Sequence, residues 1–290
     1  MSQSTDTPTH APSPARDIHA RAGIGITAHI LQGRGLEILR AHVDYPALIL
    51  VDHGIKSVRA ENSTMVNASP GQGIVLRGNQ TVDFTNSLRE SKHYEARWLL
   101  FDPALLDDPY YANRAAAIQS GDRPPASARL LASVNAGLAN AFENARQALA
   151  ATSAIPDAVA RQRVLEAMHW LLEERIALHA PPANPTTSIK VRALVAGRLN
   201  ADWTGHCIAK ALAMSEATLR RRLAEDGTTL TELLVEMRMS SALSLLQATA
   251  RPVSDIAWSV GYQSPSRFAV RFRQRFGFAP TAVRGHERAK

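Results

Sequence analysis

Arg220 and Arg221 in one stretch, and Arg267, Arg271 and Arg273 in another, carry the clearest chemistry in this chain. A guanidinium fork grips phosphate oxygens along any duplex, and aimed into the major groove it pairs bidentately with guanine. Both uses need each arginine to project from a rigid element. In residues 252–284, PVSDIAWSVGYQSPSRFAVRFRQRFGFAPTAVR, the spacing predicts a short helix, a Gly-bearing turn and a basic second helix. Ser264 can cap that second helix through its hydroxyl, and Pro265 fits the first position, where a missing N–H costs nothing. Phe268, Phe272 and Phe276 recur every four residues and make one apolar face, which predicts core. About half a turn away lie Ser266, Arg267, Val270 and Gln274, with Arg271 at the flank.

A solvated cationic face is the plainer reading of one such helix. A second copy of the pattern tips the balance. In GHCIAKALAMSEATLRRRLAED, residues 205–226, Ile208, Ala209 and Leu212 form a short apolar face, Ala213 and Met214 make a turn, and Ser215 caps a new helix. Leu219 and Leu223 are its buried pair, with Ala217, Thr218 and Arg221 opposite and Arg220 to one side. Between the two units, residues 228–249 contain no Gly or Pro, and Thr229 and Glu232 have capping-box spacing. One continuous helix is expected, roughly 30 Å long, close to the ~34 Å of a duplex turn. Two readers that far apart can enter successive major-groove segments.

Residues 188–290 resemble the DNA-binding domain of the AraC/XylS family of bacterial transcription regulators. Ile256, Ala257, Gly261, Tyr262, Ser264, Phe268, Phe272, Gly277, Pro280 and Arg284 carry the resemblance, with Arg238, Ala242, Leu245 and Leu246 in the middle helix. It implies base-facing positions at Ala217, Arg220 and Arg221 in the first unit and at Pro265, Ser266, Arg267 and Val270 in the second. Val270 stands where many relatives carry arginine, so the first unit is expected to discriminate sequence more than the second. Arg267, Arg271, Arg273 and Arg275 are then expected on phosphates. The resemblance further implies RNA polymerase as a partner, activation, and an N-terminal cupin-like domain responding to a small molecule or protein.

Charge agrees with a DNA-binding end. Residues 188–290 hold 16 Lys and Arg against 8 Asp and Glu, while residues 1–187 are close to neutral. Membrane-surface binding fits poorly, because the basic helices have narrow apolar stripes, and no run approaches the length of a membrane span. Cys207 is the single cysteine; it excludes an internal disulfide, fits a cytoplasmic protein, and its neighbours suggest a half-buried helix position.

The expected organisation is multidomain. A polar, Pro-rich tail (1–21) is read as unstructured, followed by a mainly-β, cupin-like barrel (22–125) whose strands include ALILV (47–51), GIVL (73–76) and ARWLLF (96–101). A helical segment (126–179) follows, with Pro156 opening its second helix. Its stripe of Val164, Met168, Leu171, Leu172 and Ile176 reads as core or as a homodimer seam. A Pro-rich linker (180–187) leads to the all-α C-terminal domain (188–290), with two helix-turn-helix units joined by a long helix. Catalysis, metal and cofactor are not expected, since His29, His42, His53 and His93 are scattered singly and no phosphate-loop signature occurs. The leading function is a sequence-specific DNA-binding transcription factor; the alternative is an architectural protein gripping DNA without selecting sites.

Overall fold

The computed structural model describes residues 17–60, 63–119, 126–150, 152–178 and 184–284. Most of the expected tail, much of the linker and the last six residues lie outside these. Asp17–Arg21, expected to end the tail, instead form β1, because they pair antiparallel with the first residues of the next strand.

The N-terminal part builds two antiparallel sheets. The larger has the order β1, β2 (Gly25–Gln32), β9 (Tyr94–Phe101), β4 (Ala47–His53), β7 (Gly73–Leu76), β10 (Ala128–Leu131). The smaller runs β3 (Leu36–Val43), β8 (Gln80–Ser87), β5 (Ile55–Ala60), β6 (Val66–Ala68). The barrel-like domain is thus two facing sheets, not one closed sheet. β10 corrects the expectation of helix from residue 126, since Leu130 and Leu131 pair with Ile74 and Gly73 and so cover the β7 edge.

The run ALILV is continuously apolar because both faces of β4 are covered. Ile49 and Val51 face Ile30, Ile38, Val58 and Val82 between the sheets. Leu48 and Leu50 meet the helices α1 (Pro109–Gln119), α2 (Ala136–Leu149) and α3 (Asp157–Glu173) on the outer side. Pro156 occupies the N-cap position of α3. Val164, Met168, Leu171, Leu172 and Ile176 are buried within the chain, so that stripe is intramolecular core.

The C-terminal helices are α4 (Thr187–Val195), α5 (Gly205–Ala211), α6 (Glu216–Glu225), α7 (Leu230–Ala248), α8 (Val253–Ser259) and α9 (Pro265–Phe276). Their cores are separate. Val191, Val195, Ile208, Leu219 and Leu223 pack with Leu233 and Met237 from the first half of α7. Phe268, Phe272, Ile256 and Ala257 pack with Met239, Ala242, Leu243 and Leu246 from its second half, in a core continuous with that between the sheets. Arg192, almost fully buried, joins the parts further, lying 3.3 Å from Asp44 and also paired with Glu236 of α7.

Candidate nucleic-acid interface

The first unit is set by its caps. Thr204 accepts from the Cys207 N–H at 3.2 Å to start α5, and Ser215 accepts from the Thr218 N–H at 3.1 Å to start α6. Between them Ala213 takes φ of 52°, the left-handed corner that makes the turn tight. Leu219 and Leu223 are buried, so Ala217, Arg220 and Arg221 face outward and are exposed. Thr218 is half-buried, and its hydroxyl lies 2.9 Å from that of Ser215. The Arg221 guanidinium reaches Glu225 at 2.6 Å one turn along.

α7 is the strut. Its N-terminus carries a full capping box, with Glu232 N–H donating to Thr229 Oγ1 at 3.2 Å and Thr229 N–H donating to Glu232 at 2.9 Å. Nineteen residues give it a length of about 28 Å.

The second unit repeats the scheme. Ser264 accepts from the Arg267 N–H at 3.3 Å, Pro265 holds the first helical position, and Gly277 closes α9 in the left-handed conformation with φ of 82°. Gly261 makes the turn at φ of 88°, and an added Cβ would stand 2.7 Å from the Leu199 carbonyl. Phe268 and Phe272 are fully buried and Phe276 half-buried, while Ser266, Arg267, Val270, Arg271, Arg273 and Gln274 are exposed and Pro265 is half-buried. Ser266, Arg267, Val270, Arg271 and Gln274 form one lip of a groove of about 380 Å³ completed by Tyr262. Burial pushes the Tyr262 phenol up against the opposing charges of Arg238 and Arg271, so it is neutral there.

Residues 208–286 match the family model described as a helix-turn-helix domain. Over 97 residues the chain is 35% identical to the HTH-type transcriptional regulator GadX of Escherichia coli O6:H1, covering 33% of this chain and 35% of that protein. It is 37% identical over 93 residues to the dual regulator Rns of Escherichia coli, covering 32% and 35%. The C-terminal domain is of the AraC/XylS type. The chain spans about a third of the length of these curated relatives. Beyond that third, the fold as a whole is similar to ToxT of Vibrio cholerae, with a TM-score of 0.60 at 15% identity over 89% of this chain and 97% of that one.

Within the AraC/XylS-type domain, the signature arginines and glycine prove to be joints. Arg238 donates to the carbonyls of Leu199 at 3.2 Å and Ala201 at 3.5 Å, and Arg284 donates to the Leu246 carbonyl at 3.2 Å. Gly261 leaves room for Arg238. Two expectations need correction. Arg275 does not face outward with its neighbours, because a bulge in β3 between Ile38 and Ala41 turns out the Leu39 and Arg40 carbonyls, and Arg275 donates to both. Cys207 is exposed, not half-buried, since Ile208 and Ala209 alone supply the inner face of α5.

Sequence reasoning also missed Trp258, 55% exposed on α8, whose signal was an aromatic beside the buried pair Ile256 and Ala257. The histidines read as isolated are not so in space. His29, His53 and His93 all reach Glu95; His93 stands two residues before it, a His-x-Glu spacing that was a local signal, whereas His29 and His53 come from other strands that only the sheet pairing brings together.

Proposed function

We propose that this chain is a sequence-specific DNA-binding transcription regulator that lays α6 and α9 into successive major-groove segments of one duplex face. The observation that carries this reading is the pair of capped, arginine-bearing helices at opposite ends of a strut of about 28 Å, near the ~34 Å repeat of the duplex. In the first unit Arg220 and Arg221 read base edges beside Ala217 and Thr218. In the second, Pro265, Ser266, Arg267 and Val270 face the bases, Arg271 and Gln274 flank them, and Arg273 holds phosphate.

The division we propose keeps 188–290 as the DNA-binding domain and 180–187 as linker, with the β-rich sensor running from β1 through β10 and the helical segment starting only after β10 and ending at 179. The β domain is the responsive part, taking a small molecule or a protein effector. In support, α7 packs on β2 and β3, and Arg192 and Arg275 tie the β domain to the DNA-binding helices. The similarly folded ToxT has been solved with an unsaturated fatty acid bound. Activation through RNA polymerase in the cytoplasm, without catalysis, follows from the same reading. A homodimer would place two copies on paired half-sites, which sedimentation with and without DNA would detect.

The test is selection of bound duplexes from a random pool by the full chain, then titration at several salt concentrations. A regulator keeps a preference of on the order of 10³ or more for the selected site as salt rises. Equal affinity for every duplex would establish the architectural alternative.

A further inference from the structure

His53, His93 and Glu95 place metal-binding atoms within 4.8 Å of one another on the β domain, remote in function from the DNA-binding helices. The strands build this cluster. Glu95 lies opposite His53 in the β9–β4 pairing, immediately after a register shift between Val51 and His53. Such a bulge re-aims the side chain that follows it. Gly54 then turns the chain at φ of 77°, where an added Cβ would meet the Ser87 carbonyl at 2.5 Å, so the corner has one packing. His93 Nε2 is 3.1 Å and His53 Nε2 3.7 Å from the same oxygen, Glu95 Oε2. Two ligand atoms each about 2.1 Å from a tetrahedral zinc ion stand about 3.4 Å apart. The two imidazole-to-carboxylate spacings bracket that distance.

We propose that His53, His93 and Glu95 form a binding site for a divalent first-row transition ion such as Zn²⁺, with a remaining position for water. Two imidazoles and one carboxylate are a donor set that suits these ions rather than Mg²⁺ or Ca²⁺. A supporting layer is already in place, since His29 Nε2 lies 2.8 Å from Glu95 Oε1 and leaves Oε2 toward the other two histidines. The nearest guanidinium along the strand, Arg97, is engaged by Asp52 at 2.7 and 2.9 Å and by Glu143 at 3.5 Å. His53 is 53% exposed and gives the ion a way in. A bound ion would pin the β4–β5 corner to the start of β9.

The full chain, stripped with a chelator, is titrated with Zn²⁺ by calorimetry and with Co²⁺ by visible absorption. Expected are a single ion per chain, Co²⁺ bands of a low-symmetry nitrogen and oxygen site, and a melting temperature raised by about 5–10 °C at hundredfold excess over Kd. His53→Ala and His93→Ala should each weaken Zn²⁺ binding by roughly 10–100-fold or more, whereas His206→Ala, on the exposed surface of α5, should not. Glu95→Gln is a third probe, and the exposed His53 keeps the test valid if that variant fails to fold. Substoichiometric uptake by the wild type, or equal affinity in the wild type and both histidine variants, would overturn the site.

Discussion

Alanine at Arg220 and, separately, at Arg221 probes base reading by α6. Both side chains point into solvent, so each change should leave folding stability within about 0.5 kcal/mol. Arg221 is held by Glu225 at 2.6 Å, but both partners are more than half exposed, and an exposed pair one helical turn apart is worth about 0.3–0.5 kcal/mol. Releasing the guanidinium toward DNA is therefore small against the roughly 1–3 kcal/mol of a bidentate base contact. Each variant should lose about 1–3 kcal/mol at the preferred site, roughly 5- to 150-fold in Kd.

Fluorescence anisotropy on the selected duplex and its single-base-pair variants, at several salt concentrations, separates base reading from charge. A base reader loses discrimination at one position. Arg273→Ala is the contrast, since it should weaken every duplex equally and lower the logarithmic salt slope by about 1. If Arg220→Ala and Arg221→Ala both leave the ranking of sequences unchanged, α6 does not read bases.

Three further outcomes follow from the packing. His42 is 13% exposed, and burial, then the Arg192 charge, lower its pKa from 6.5 to about 4 against an opposing pull from Glu236. The unfolded chain therefore binds the extra proton first, and stability should fall by about 3 kcal/mol as pH drops from 6.5 to 4; urea unfolding should show this slope removed in His42→Leu. Lys56, fully buried over the Phe84 ring, with Asn86 the only acceptor of its hydrogen bond among the described residues, is brought to about 7 by burial. The shift corresponds to about 5 kcal/mol, from which the orphaned Asn86 oxygen subtracts about 1–3, so Lys56→Met should stabilise by roughly 2–4 kcal/mol at pH 7. That advantage should fade as pH rises toward 10.5, and denaturant midpoints unchanged at pH 7 would refute it. Gly261→Ala, with φ of 88° and a Cβ 2.7 Å from the Leu199 carbonyl, should cost about 2–4 kcal/mol in a melting experiment.

Both helix-turn-helix units were legible because their signals are local. A capping Ser215 or Ser264, an apolar residue every fourth position and a turn at Ala213 or Gly261 all lie within one element's reach, where backbone geometry leaves few alternatives. The strands of the ALILV and GIVL runs were legible for the same reason. Tertiary packing decided what spacing cannot encode. A bulge in β3 directs Arg275 to the Leu39 and Arg40 carbonyls, although its neighbours Arg271 and Arg273 stay exposed. The pairing of β9 with β4 brings Glu95 to His53, and the packing of one sheet on the other encloses Lys56 against Phe84 and Trp98. Periodicity fixes which way a side chain points from its own helix or strand; what waits in that direction is set by contacts between residues far apart along the chain.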